Sequence, residues 1–180
     1  MRKSIAIDMD NVIADVETHF IDWYEKHFGL RIERETMAGK PEMEAFPDSE
    51  AVWKFLFTPG FFRTVPVMEG SQEVIQQLME DYDVYIVSAA TEFPQSLNEK
   101  RLWLDEHFPF ISWRNMIFCG DKSIVHTDYM LDDHEKNLRS CKGEPLLYSA
   151  MHNVNVNHYQ RLNNWEEVSE YFQKLLKTRQ

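Results

Sequence analysis

Two cysteines, Cys119 and Cys141, in 180 residues are too few for a disulfide framework, and their scarcity suits a reducing compartment. Positive charge is short as well: 19 Lys and Arg stand against 30 Asp and Glu, a net charge of −11. A nucleic-acid polymer is therefore a poor partner, because that binding rests on basic side chains neutralising phosphates. An anionic membrane surface is disfavoured on the same ground. No apolar run approaches the roughly 18 residues of a membrane span. The opening segment meets Asp8 after Ile5-Ala6-Ile7, too short for the apolar part of a signal peptide. Repeats, low-complexity tracts and Gly/Ser-rich linkers are also missing. His126, His134, His152 and His158 show no His-x-x-x-His spacing, so a Zn²⁺ site is not expected.

What is present is apolar and aromatic: 12 Phe, 7 Tyr and 5 Trp in a chain that is 43% hydrophobic, too many for a disordered segment. The length fits one domain, or one domain with a small insertion. A soluble, cytoplasmic globular protein is expected, and the sequence leaves a homodimer open.

The opening Ser4-Ile5-Ala6-Ile7 reads as a buried strand that ends in the polar loop Asp8-Met9-Asp10-Asn11. Val16, Phe20, Trp23, Tyr24 and Phe28 recur at helical spacing, with Gly29 as the stop. From about Arg31 to Pro66 the pattern changes to short helical pieces, such as Ser49 to Phe57, prolines and aromatics, without a good strand. Alternation then returns. Helices are predicted over Gly70 to Tyr82, Pro94 to His107 and Trp165 to Leu176. Strands are predicted over 83–87, 115–119, 129–131 and 145–148.

Short apolar strands alternating with helices predict an α/β fold, a Rossmann-like three-layer core with a parallel sheet. The stretch after the first strand reads as a small helical cap. The expected division is 1–15 and 69–180 for the core and 16–68 for the cap. An insertion at the carboxyl end of a strand would cover the ligand site of an open parallel sheet.

Chemistry gathers at those strand ends. Asp8 and Asp10 close the first strand, Ser88 the second and Asp132-Asp133 the fourth, while Lys122 lies in the loop after the third. Two carboxylates two residues apart on an extended segment point the same way and repel unless a cation sits between them. A hard divalent ion, Mg²⁺ above all, would relieve this, with Asp132 or Asp133 completing its oxygen ligands. Taken singly each motif has a plainer reading. Asp-x-Asp can be a solvated loop, Asp132-Asp133 a helix cap, Ser88 a turn residue and Lys122 a surface lysine. Their order and placement together favour a site.

With these residues in that order, the chain resembles the haloacid dehalogenase superfamily of phosphotransferases. Asp8-Met9-Asp10-Asn11-Val12-Ile13-Ala14-Asp15 looks like its first motif, Ser88 its second, Lys122 its third and Leu131-Asp132-Asp133 its fourth. Within it the likeness is to the 5'(3')-deoxyribonucleotidases, which share the Asp-Met-Asp-x-Val-x-Ala-Asp opening, a helical cap after strand one and a segment like Phe61-Phe62…Pro66…Gly70.

The resemblance implies an Mg²⁺-dependent phosphomonoesterase acting on nucleoside monophosphates through an aspartyl-phosphate. Asp8 is then the nucleophile and Asp10 the general acid and base. Ser88 and Lys122 hold the phosphoryl oxygens, and Asp8, Asp10, Asp132 and Asp133 hold the metal. Three residues depart from the family pattern. Asn11 stands where glycine is common, Ser88-Ala89-Ala90 lacks a second hydroxyl and a proline, and Gly120 stands where arginine is common.

The substrate would be small, and Phe20, the Phe61-Phe62 pair, Ser88, Ala89 and Lys122 are the residues expected to touch it. Aromatic rings in a lid suit a flat nucleobase, although at least half of the cap's rings are expected to form its own core. Two other functions share the motif set. One is a phosphatase of sugar phosphates or other metabolites, with the same core and a different lid. The other is a receiver-like signalling module, whose adjacent acidic pair follows its first strand; here that pair comes late.

Overall fold

The computed structural model describes residues 2–178. Strand β1 (Lys3–Asp8) is followed by helices α1 (Val16–Phe28) and α2 (Ser49–Phe55). Then come α3 (Ser71–Asp81), β2 (Tyr82–Ser88), α4 (Pro94–His107), β3 (Met116–Phe118) and β4 (Tyr129–Asp132). The chain closes with α5 (Glu135–Leu138), β5 (Glu144–Tyr148), β6 (Gln160–Leu162) and α6 (Trp165–Lys177). The six strands form one sheet in the order β3-β2-β1-β4-β5-β6, and every pairing is parallel. This is a doubly wound α/β fold.

Alternation along the strands divides the core in two. Ile5, Ile7, Val84, Ile86, Leu131 and Leu146 face the larger apolar cluster, which α3, α4, α6 and the residues after β1 complete. Ala6, Val87, Met130 and Leu147 point to the opposite face, where Val125 and Leu138 cover them. A strand buried on both faces needs apolar residues at every position, which explains the unbroken Ile5-Ala6-Ile7 run. The hydrophobic pattern missed β6, a three-residue edge strand whose exposed Gln160 and half-buried Arg161 hide it.

Because strand order reverses beside β1, the carboxyl ends of β1 and β4 flank the switch point where such sheets bind ligands. The chain leaves the sheet here after β1 and returns beside its own exit. The Asp15 amide donates to the Pro66 carbonyl (2.8 Å) and the Met68 amide to the Ile13 carbonyl (2.8 Å), so the two crossings run side by side. Two buried tryptophans fix them. Trp103 Nε1 donates to the Val65 carbonyl (2.7 Å) and Trp165 Nε1 to the Val12 carbonyl (2.8 Å).

Within the 16–68 segment Asp15 caps α1 through the Thr18 amide, and Gly29 ends it in the left-handed region at φ 67°. No strand of the sheet lies in this segment. An aromatic cluster fills it: the Phe61 ring packs against Phe20, Trp23, Phe55 and Phe62.

Candidate active site

Asp8 is the last residue of β1, and the chain turns at once. The amides of Ile13 and Ala14 both return to the Met9 carbonyl, so the loop is a tight coil above the sheet. Asn11 takes φ 57° inside it, the one described non-glycine residue with positive φ. Asn tolerates this backbone better than most side chains.

The strand ends deliver their side chains to one cleft. Asp8, Asp132 and Asp133 are all buried, and one carboxylate oxygen from each lies within 4.8 Å of the others. Lys122, on the turn after β3, joins two of them: its Nζ bonds to Asp8 Oδ1 and lies 2.7 Å from Asp132 Oδ2. Asp132 is further held by Asn137 Nδ2 at 2.9 and 3.0 Å and by the His134 amide at 2.8 Å. Asp133 is held more sparingly. Its Oδ2 accepts from Asn11 Nδ2 at 3.1 Å, while its Oδ1 is buried without a partner.

Three buried carboxylates beside one ammonium leave excess negative charge, and the acidities show it. Burial pushes the Asp8 carboxyl up to about 7; Lys122 opposes this, and Asp132 and Asp10 add to it. Asp133 is likewise raised well above the ordinary carboxylate range, by burial and by Asp8 and Asp132. Lys122 is pushed up: burial disfavours its charge, but Asp8 and Asp132 outweigh that. The orphaned Asp133 oxygen and the unbalanced charge both fit a hard divalent cation among Asp8, Asp132 and Asp133.

A second ammonium enters from α4. Lys100 Nζ bonds to Asp10 Oδ2, lies 3.2 Å from Ser88 Oγ and sits over the Phe62 ring at 4.8 Å. Only 3% of Lys100 is exposed. Lys100 thus adds a second ammonium to Lys122, the one that the sequence motifs pointed to. Lys100 lies in a helix without a recognisable motif, and its one signal was a lysine on the same helix face as buried Trp103 and Leu104.

The cleft itself is lined by Asp8, Asp10, Asn11, Ala89, Lys100, Lys122 and Asp133. Its far wall holds Phe20, Glu42, Met43, Trp53, Leu56, Phe62 and Phe93. Ser88 is wholly buried beneath Lys100 rather than on the wall. Phe20 reaches the cleft with 2% of its surface exposed, and Phe61 does not reach it at all. Phe61 is the hub of the aromatic cluster, so of the expected pair only Phe62 faces the cleft. Spacing along the chain also concealed a histidine pair: His134 and His152 stack with ring centroids 4.3 Å apart beside Asp133.

A doubly wound parallel sheet with carboxylates and ammonium groups at its switch point is the arrangement expected of a haloacid dehalogenase-type phosphotransferase. Solved structures share the fold: a haloacid dehalogenase family hydrolase from Deinococcus radiodurans, solved with bound phosphate and sodium, superposes with a TM-score of 0.66 at 12% identity, over 96% of each chain. A haloacid dehalogenase-like hydrolase from Streptococcus pneumoniae gives 0.58 at 12% identity, over 96% of this chain and 99% of that one.

Residues 2–180 match the family model for 5' nucleotidase, deoxy (pyrimidine), cytosolic type C protein. A Bacillus subtilis protein named 5'(3')-deoxyribonucleotidase is 38% identical over 168 residues, 93% of this chain and 97% of its own. A Staphylococcus aureus protein provisionally given the same name is 41% identical over 172 residues, 95% and 96% of the two chains. The chain belongs to this deoxyribonucleotidase family and is a hydrolase of the nucleotidase type.

Proposed function

We propose that the chain removes the phosphate of deoxyribonucleoside monophosphates through a phosphorylated Asp8. The observation that carries this reading is the single cleft in which Asp8, Asp10, Lys100, Lys122 and Asp133 face the aromatic wall of Trp53, Phe62 and Phe93. The names of the relatives supply the substrate class.

The Asp8 carboxylate attacks phosphorus, and the ester oxygen departs with a proton from Asp10. A water then attacks the acyl-phosphate while Asp10 takes its proton, splitting one hard displacement into two. Lys100 and Lys122 supply fixed positive charge to the transferring group, in a buried setting where such charge counts for most. Ser88 holds Lys100 in place from below. Mg²⁺, held by Asp8, the Asp10 carbonyl, Asp132 and Asp133, would supply the charge compensation that lets a dianion meet a carboxylate. Residues 16–68 act as the cap over a core of 1–15 and 69–180, and the aromatic wall that segment contributes receives the base. Free Cys119 and Cys141 accord with a cytoplasmic setting.

The test is phosphate release from a panel of deoxy- and ribonucleoside monophosphates and sugar phosphates, with and without EDTA. The proposal expects deoxynucleotides, dUMP and dTMP among them, to give the highest kcat/KM, and EDTA to abolish turnover. Preference for a sugar phosphate would assign the same core to another metabolite.

A further inference from the structure

We propose that Asn11 is a positioning residue that aims the free oxygen of Asp133 at the metal and ties the cap to that ligand. This rests on the metal site put forward above. Asn11 is 3% exposed, and its short side chain makes bonds in three directions. Its Oδ1 accepts from the Glu17 amide at 3.0 Å, an otherwise unpaired donor in the first turn of α1. That bond fixes which way the amide faces. The NH₂ group must then point inward, where it donates to Asp133 Oδ2 at 3.1 Å and to Glu42 Oε1 on the cap.

Asp133 has no other hydrogen bond to its carboxylate among the described residues. Asn153 and His152 reach its main-chain carbonyl, at 2.8 and 3.1 Å, and His152 Nε2 stands 3.7 Å from Oδ2, beyond hydrogen-bond distance. Asp132 differs: Lys122, Asn137 and the His134 amide occupy both of its oxygens. Asn11 thus supplies the one hydrogen bond that orients the Asp133 carboxylate among the described residues. With Oδ2 engaged, the buried and unpartnered Oδ1 is left to face the ion. The same amide, with His152 beside it at 3.8 Å from Glu42 Oε1 and 3.7 Å from Asp133 Oδ2, stands between two carboxylates, Glu42 of the cap and Asp133 of the core. A ligand carboxylate held by a hydrogen bond from behind is the usual way in which a surrounding shell tunes a metal site.

The test titrates Mn²⁺ alone, in place of Mg²⁺, into wild type, Asn11→Gly and Asp133→Asn, following free Mn²⁺ by electron paramagnetic resonance. Glycine keeps the backbone at φ 57° unstrained and removes the carboxamide side chain with its three hydrogen bonds. The Kd of Asn11→Gly should rise roughly 10–100-fold, its metal-induced rise in Tm should shrink, and excess metal should restore most of kcat. A merely structural Asn11 would lower the Tm in EDTA and leave both the Kd and the metal-induced rise unchanged, which overturns the proposal even if the variant is unstable. Unaltered Mn²⁺ binding by Asp133→Asn would instead reject the metal site itself.

Discussion

At the level of single residues, Asp8 is held well away from the ordinary carboxylate acidity. Its carboxyl titrates near 7 in the folded chain against an ordinary 3.8, because burial and its acidic neighbours outweigh Lys122. Between those values the folded chain keeps a proton that the unfolded chain has released. The stability contributed by this group is therefore present at acid pH and is lost as pH rises from about 4 to about 7. Metal at the site would remove this slope. The Tm gained on adding Mg²⁺ should be larger at about pH 7.5 than at about pH 5, as thermal melts in EDTA and in Mg²⁺ would show. Lys100 is the residue that the motifs did not reveal, since lysines at helical spacing are mostly solvated and only packing of α4 against the sheet buries this one. Lys100→Met should lower kcat/KM by about 10²–10³-fold in steady-state assays. Lys100→Arg should not restore it, because a planar guanidinium cannot fill the compact ammonium position between Asp10 and Ser88.

Five of the six strands and helices α3, α4 and α6 were legible, because both strand faces are apolar and these helices carry an apolar stripe; the edge strand β6 and the single-turn α5 were too short and polar to show. The site's acidic residues were legible for a related reason: strand ends converge at a switch point whatever the loops do. The 16–68 segment was less so, since its aromatics are used for two purposes that the sequence does not distinguish. Phe61 and Phe62 are adjacent, yet one is the centre of the cluster and the other faces the cleft. Phe61→Ala should cost about 3–5 kcal/mol of stability in denaturant melts and reduce activity on every substrate alike. Trp53, 44% exposed beside Phe57 and Phe93, can be removed with little loss of packing. Trp53→Ala should raise KM for nucleotides by an amount equal to about 1–3 kcal/mol of stacking and leave p-nitrophenyl phosphate nearly unchanged. Equal effects on the two substrates would assign Trp53 to the cap surface. The Trp165 bond to Val12 is equally invisible in sequence, because it joins the last helix to the first loop. Trp165→Phe leaves a buried carbonyl unpaired and should cost about 1–3 kcal/mol.

For the molecule as a whole, an acidic chain binds an anion by confining its useful positive charge to one rim of the sheet. A net charge of −11 repels phosphates at long range. Lys100 and Lys122, both buried at the switch point, counter it only within the cleft. The sheet order places β1 between β2 and β4, so Asp8 is flanked by the Ser88–Lys100 pair on one side and the Asp132–Lys122 pair on the other. That arrangement is the ground for proposing Asp8 as the nucleophile. The most direct measurement is acid-quenched mass spectrometry of enzyme mixed with dUMP and Mg²⁺, together with the same experiment on Asp8→Asn. The account predicts a transient phosphoryl group on the peptide containing Asp8, absent from the variant, which folds but does not turn over. Turnover retained by Asp8→Asn, or a phosphoryl group on any other residue, would contradict it.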